Sequence, residues 1–344
     1  MKVLVTGGAG FIGSHLVEAY LSAGHQVAVV DDLSSGRREN VDPRAAFHQV
    51  DIRDPRIAEV FAAEKPDLVN HHAAQIDVRK AVDYPRLDVE VNVLGTIAVL
   101  EQCVKFGVGK VIFASTGGAI YGELETLPAD EGHPVRPLSP YGIDKHMGEH
   151  YLRFYHETRG LQFAALRYAN VYGPRQDPRG EAGVVAIFAN AMLAGKTPTI
   201  YGDGEQVRDF VYVGDVVRAN LLAGKREAPG PLNIGTGAAV SINEIYRTLA
   251  EIIGFGGPPA HAEGKAGDVR RSALEARLAA QVLGWQPETS LQEGLRRTVE
   301  WFRERDQGSL APPPFVGEGG AGGSHNLLRP PSPPPQSTPI KGEE

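Results

Sequence analysis

Apolar positions in this chain fall into short unbroken runs rather than an alternating pattern. "KVLVTGG", "QVAVVD", "DLVNHHAA", "KVIFAST" and "LQFAALRYANVYG" are each dominated by apolar and small residues. Runs without polar alternation suit strands buried on both faces of a parallel sheet. Between them lie stretches whose apolar residues recur at helical spacing: residues 14–23, "RIAEVFAAE", residues 87–106 and residues 141–159. Strand and helix therefore alternate, which predicts a doubly wound α/β layer over residues 1–168, with segments near 211–236 returning to it. No fixed-period repeat interrupts the alternation.

The second half is less regular. Residues 173–205 are loop-rich around one helical stretch, "VVAIFANAMLAGK". "DFVYV", "DVVRANLLAG", "PLNIGTG" and "INEIYRTLAEIIG" follow, alternately strand-like and helix-like. Residues 169–306 are expected to build a smaller, discontinuous α/β substrate domain against the first. From residue 307 to 344 proline and glycine dominate, and little remains that could fill a core, so a disordered tail is expected.

Composition narrows the function classes. The 344 residues are 42% apolar and 22% charged, with a formal net charge of −7, which offers no basic footprint for nucleic acid or an anionic membrane. Any anionic ligand must be held by local cations and backbone N–H groups. The single cysteine, Cys103, excludes an internal disulfide and a cysteine-built zinc site; its helical surroundings suit a buried thiol. No charged leader precedes the first apolar run, and no segment approaches the roughly 18 apolar residues of a membrane span. A cytoplasmic, reducing setting is expected.

Candidate chemistry begins with "VTGGAGFIGSH". Gly7 would permit the tight turn leaving the first strand, Gly10 a close approach of backbone to a pyrophosphate, and Gly13 close helix–sheet packing. The helix behind them would offer unpaired N–H groups to the phosphates. The next strand ends at Asp31, about twenty residues on, where a carboxylate can accept from ribose hydroxyls and repel a 2′-phosphate. A dinucleotide site of Rossmann type follows, with NAD favoured over NADP despite the nearby Arg37 and Arg38. Asp51, in "VDIRD" at the end of the third strand, can accept from an adenine amino group or cap a helix.

"SPYGIDKHMGEH" sets Tyr141 and Lys145 four residues apart, on one face of the helix opened by Pro140. An ammonium beside a phenol lowers the phenol's pKa, as would a nicotinamide's positive charge, making Tyr141 a general base for an alcohol being oxidised. Ser115 and Thr116 close the preceding strand, where a hydroxyl can share the proton. The same helix carries "HMGEH", the H-x-x-E-H spacing of a zinc peptidase, but it already bears the Tyr/Lys pair and no metal is assigned. His71 and His72 likewise read as strand-end residues.

With these motifs the chain resembles the extended short-chain dehydrogenase/reductase family, and within it the UDP-glucose 4-epimerases. The resembling stretches are Thr6–Gly13, "HHAAQIDV", "STGGAIYG", "LRYANVYGPRQ", "GDGEQVRDFVYVGD" and "NIGTG". The resemblance implies an isomerase with tightly held NAD that inverts C4 of a UDP-hexose, glucose or galactose and also the N-acetylated sugars. It extends the cofactor contacts to Phe11, Ile12, Asp32, Ile52, Ala73, Ala74, Asn92, Ser115 and Tyr168. Catalysis falls to Thr116, Tyr141 and Lys145. Asn170, Arg208, Lys265 and Asp268 would hold diphosphate and uridine ribose, and Val184, Val185 and Tyr201 would line the uracil pocket. Ser272, small where relatives carry residues of varied size beside the sugar's 2-position, leaves room for an N-acetyl group.

Three departures stand out. Gly117 occupies the position where the family's catalytic hydroxyl often sits, so the role passes to Thr116, with Ser115 second. Lys265 replaces an arginine and keeps the charge without the bidentate fork. "QIDV" lacks a lysine that some relatives carry. The rival activities are a 4,6-dehydratase, a UDP-glucuronate decarboxylase or 4-epimerase, and a non-catalytic NAD-sensing regulator. "GGAIYG" lacks the dehydratase's Asp–Glu pair, and a regulator has no need of Tyr141 and Lys145. A homodimer through the helices at residues 87–106 and 141–159 is the family expectation.

Overall fold

The computed structural model describes residues 1–179, 183–228, 230–264 and 269–309. The first half runs β1 (Lys2–Thr6), α1 (Phe11–Ser22), β2 (Gln26–Asp31), β3 (Ala46–Gln49), α2 (Ile57–Glu64) and β4 (Leu68–His71). Then come α3 (Val78–Asp83), α4 (Pro85–Val89), α5 (Gly95–Lys105), β5 (Lys110–Thr116), α6 (Gly117–Ile120), α7 (Pro140–Arg159) and β6 (Gln162–Tyr168). The second half begins with β7 (Asn170–Tyr172), α8 (Val184–Leu193), β8 (Thr199–Tyr201), β9 (Val207–Arg208), β10 (Phe210–Tyr212) and α9 (Val213–Lys225). It ends with β11 (Pro231–Ile234), β12 (Val240–Ser241), α10 (Ile242–Ile253), β13 (Ala260–Ala262), α11 (Arg277–Leu283) and α12 (Leu291–Ser309).

The apolar runs form one sheet of seven strands in the order β11-β6-β5-β4-β1-β2-β3, every pairing parallel. Val3, Leu4 and Val5 are fully buried because helices cover both faces of the sheet. The strand order reverses between β1 and β4, and a doubly wound sheet opens its ligand crevice at that point. The chain returns to this sheet late, through β11 alongside β6.

The smaller lobe packs α8, α10 and α12 around Val185, Phe188, Met192, Ile245, Leu249, Leu295, Val299 and Phe302. Short ladders brace it: β7 with β10, β9 with β12, and β8 with β13.

Three boundaries differ from the sequence reading. The helix expected over residues 87–106 starts at Pro85 and widens into a π turn over Glu90–Leu94, with Asn92 turned inward. The third strand stops at Gln49, because Asp51 starts an Asx turn in which its Oδ1 accepts from the Arg53 N–H. Helix α12 continues through Ser309, three residues beyond the expected domain end. The Pro/Gly-rich stretch after it lies outside the described residues.

Candidate active site

Gly7 leaves β1 in the left-handed region, at φ +71°, and a Cβ there would sit 2.7 Å from the Ala73 amide nitrogen. The two strand ends at the crevice thus touch backbone to backbone. A Cβ on Gly13 would fall 2.1 Å from the Gly7 carbonyl oxygen, so only glycine lets α1 rise against the turn. Around Gly10 a Cβ would meet only the Gly7 oxygen, at 3.2 Å. Protein packing alone makes no strong demand for glycine there; close approach of a ligand would. Gly10 is the N-cap of α1 and makes no side-chain bond, so Phe11 and Ile12 stand in an uncapped first turn. This cradle fits the pyrophosphate of a dinucleotide.

Asp31 is buried, and each carboxylate oxygen accepts a backbone N–H: Oδ2 from Ala9 and Oδ1 from Leu33, both at 2.9 Å. It braces the glycine turn at the end of β2; burial raises its pKa, against those two bonds. Asp32 is exposed and accepts from Ser34. Arg37 donates to Asp177 at 2.8 Å and the Arg38 guanidinium lies 4.5 Å above the Phe47 ring, so both arginines are engaged within the fold. Asp51 is chelated by the Arg53 guanidinium beside the buried Ile52, and it does not cap α2, whose N-cap is Arg56.

Beyond β4, Ala73 donates to Thr6 Oγ1, and Ala74 follows at the crevice. Asn92 exchanges bonds with the Gln75 backbone, accepting at Oδ1 and donating from Nδ2, at 2.9 Å each. His72 reaches the Tyr168 hydroxyl, which also accepts from Asn220. Burial, reinforced by the Lys145 charge, lowers the pKa of both His71 and His72 to about 3, leaving neutral imidazoles.

Helix α7 seats close to α6 through Gly142 and close to β5 through Gly148. Cβ atoms there would lie 2.5 Å from the Ala119 oxygen and 2.6 Å from the Phe113 ring. That approach lets the buried Lys145 Nζ donate to the Ala114 carbonyl at 2.9 Å, 5.9 Å from the centre of the Tyr141 ring. Burial brings Lys145 down to about 8, against the Asp88 charge, which raises it. Burial, then the Asp88 charge, pushes the Tyr141 phenol upward instead of toward neutrality. The polypeptide by itself therefore keeps the phenol protonated, contrary to the lowering expected from Lys145.

The two candidate hydroxyls separate clearly. Ser115 Oγ is buried and donates to Glu149 Oε1 at 2.6 Å. Thr116 is half-buried, and its Oγ1 lies 3.9 Å from the Cβ position above Gly118. Asn170 Oδ1 lies 3.8 Å from that same position and is a buried acceptor without a hydrogen-bond partner.

In the smaller lobe, Val184 and Val185 form the first turn of α8 behind Gly183. Arg208 lies on β9 and donates to the Val207 carbonyl, and Tyr201 is largely exposed on β8. Ser272 is buried and donates its N–H to the Val207 carbonyl. Lys265 and Asp268 lie outside the described residues. His146 and His150 sit with Nε2 atoms 3.1 Å apart, and among the described residues no three His, Cys, Asp or Glu side chains are placed to hold a metal.

The profile of the NAD dependent epimerase/dehydratase family matches residues 3–235. The chain belongs to that family. It is 46% identical over 313 residues to the UDP-glucose 4-epimerase of Mycolicibacterium smegmatis, covering 89% of this chain and all of the relative. The UDP-glucose 4-epimerase of Thermotoga maritima, solved with UDP-glucose, is 49% identical with a TM-score of 0.88, over 89% of this chain and 99% of that one. The Thermus thermophilus enzyme, solved with NAD, is 48% identical with a TM-score of 0.84, over 88% and 99%.

Within this member of the epimerase/dehydratase family, the glycine at 117 has a steric cause. A Cβ there would fall 2.3 Å from Leu274 Cδ1, so a side chain from the segment before α11, packed into the core of the large sheet, fills the place a hydroxyl would take. Leu274 is held by Asp209, which also accepts from Thr236 and Gly237. Asp209 is buried and ties Leu274 to the turn at Thr236 and Gly237.

Sequence reasoning missed a second network. Glu149 binds Arg167 through both oxygens, at 2.9 and 2.6 Å, while Arg167 also donates to the Tyr121 hydroxyl. The only sequence signal was an arginine inside an otherwise apolar strand.

Proposed function

We propose that the protein is a UDP-hexose 4-epimerase that interconverts the gluco and galacto configurations with NAD held throughout. Two juxtapositions carry this reading. Lys145 is buried beside Tyr141, and Thr116 and the unpartnered Asn170 Oδ1 face a common point. Bound NAD supplies reversible two-electron oxidation at C4. Tyr141 then accepts and returns the 4-hydroxyl proton, Thr116 shares that proton, and Lys145 with the cofactor's positive charge overcomes the burial that holds the phenol neutral. Asn170 and Arg208 bind the diphosphate, with Lys265 and Asp268 completing that set, while Val184, Val185 and Tyr201 flank the uracil. Gly7, Gly10, Phe11 and Ile12 cradle the pyrophosphate, and Asp31 and Asp32 receive the adenosine ribose.

The dehydratase alternative lacks its acid/base pair in "GGAIYG", residues 117–122, where Ile120 and Tyr121 are buried and no carboxylate occurs. Proton NMR of the purified protein with UDP-glucose and no added NAD tests the reading. A new galacto-configured anomeric signal supports it, a 4-keto-6-deoxy product replaces it with dehydration, and no change even after NAD is added refutes turnover.

Ser272 lies beside the sugar's 2-position in this reading, and its small side chain admits an N-acetyl group. Ser272→Tyr should abolish turnover of UDP-GlcNAc by more than about 100-fold and spare UDP-glucose. Equal loss of both in the same NMR assay contradicts the steric role.

A homodimer is proposed through α7 and the helix of residues 87–106, where Leu94 in the π turn and Ile143, Met147 and Phe154 on α7 are exposed. Leu94→Glu with Phe154→Glu should sediment as a monomer. No described helix is long and apolar enough to cross a membrane, and a cytoplasmic setting suits the buried Cys103 thiol.

A further inference from the structure

Two carboxyl groups face each other behind the catalytic pair. Asp88 on α4 and Asp144 on α7 are both buried, within hydrogen-bonding reach of each other. One oxygen of each, Oδ2, has no other hydrogen-bond partner. Two ionised carboxylates only accept, so neither orphan oxygen could satisfy the other. A single proton between them satisfies both.

Their surroundings decide where that proton resides. Asp88 Oδ1 accepts from Gln75 Nε2 at 2.7 Å and from Asn92 Nδ2 at 3.1 Å, two donors that stabilise its charge. No described residue donates a hydrogen bond to the Asp144 carboxyl. We infer that Asp144 is a positioning residue: its protonated carboxyl donates to Asp88 and latches the catalytic helix α7 to α4 and to the loop at Gln75. Gln75 also donates to the Asp77 carbonyl, and its backbone is held by Asn92, so the latch reaches the segment after β4 that borders the cofactor crevice.

Losing the proton would break this link and place a second negative charge beside Tyr141, whose phenol the Asp88 charge already makes harder to ionise. The other charged groups near the pair are accounted for. On α7, Lys145 is buried, Glu149 is paired with Arg167, His146 is half-buried and His150 is exposed. Arg79, Lys80 and Asp83 on α3, Arg86 on α4, Glu90 in the π turn, and Glu101 and Lys105 on α5 are all exposed. Burial first, then Asp88, raises the Asp144 pKa from 3.8 to about 7. A raised carboxyl pKa favours the fold below its unfolded value, and that support is lost as pH rises through the folded value.

Asp144→Asn keeps a donor toward Asp88 and cannot ionise. Between about pH 5 and about pH 9 the wild-type Tm should fall relative to that of D144N, because only the wild type must give up a proton on the way. Infrared spectra of the wild type should show a protonated-carboxyl band at about pH 5 that disappears by about pH 9 and is missing from D144N. The kinetic comparison rests on the 4-epimerase reading; the melting and infrared comparisons hold whether or not that reading does. For kcat, the D144N to wild-type ratio should rise at least about tenfold from about pH 6 to about pH 9. Parallel Tm and kcat profiles for the two proteins, or an infrared spectrum of the wild type without a titrating acid band, would overturn the latch. Only the band lost in D144N is assigned to Asp144, since Asp31 and Asp209 are raised carboxyls too; if D144N does not fold, Asp144→Ser replaces it in the same comparison.

Discussion

Tyr141→Phe should lower kcat for 4-epimerisation by about 10²- to 10⁴-fold, with thermal stability and NAD content unchanged. The substitution removes one oxygen from a half-buried ring for which no described hydrogen bond is made by the hydroxyl, so little structural cost attaches to it. The loss falls on kcat because the phenol takes part only when the C4 hydroxyl gives up its proton. Steady-state kinetics on UDP-glucose, with cofactor content measured by absorbance, separates the two effects. A variant within about threefold of wild type would remove Tyr141 from the chemistry and return attention to Thr116. Lys145→Ala should resemble it in kcat but also lose stability, because Lys145 Nζ donates to the Ala114 carbonyl and packs 4.9 Å from the Phe113 ring centre.

Much of this arrangement was legible in the sequence. Unbroken apolar runs announced a sheet buried on both faces, and the glycine spacing located the crevice at its switch point. Tyr141 and Lys145 were readable because a helix fixes the geometry of residues four apart. Contacts between distant segments were not legible. Leu274 filling the space above Gly117 depends on how the segment before α11 folds back onto the large sheet, and no local pattern encodes that. Asp144 reads locally as an ordinary exposed helix residue, and it becomes a buried acid only when α4 brings Asp88 against it. The direction of the Tyr141 shift was also misread, since sequence shows the neighbouring lysine but not the burial that outweighs it.

Arg167→Met should be the most destabilising single change near the site, costing about 3–5 kcal/mol in chemical denaturation. Arg167 and Glu149 are both buried, and together with Ser115, Tyr121 and Asn233 they join α7 to β5, β6 and β11. Removing the guanidinium strands the Glu149 carboxylate away from water, with Ser115 and His146 as its remaining partners. The pH dependence gives the cause its own signature. Burial pushes Glu149 upward, but Arg167, His146 and Ser115 together hold it down to about 2, from 4.5. A depressed carboxyl pKa stabilises the fold above the unfolded value and loses that support as pH falls toward the folded one. The gap between wild type and R167M should therefore be widest near neutral pH and should narrow in acid, where the variant's Glu149 is free to take up a proton. Glu149→Gln combined with Arg167→Met should recover part of the loss, since the double variant buries no charge at that point. A gap that stays constant with pH, or a double variant no better than R167M, would mean that Arg167 contributes packing volume and the ion pair contributes little.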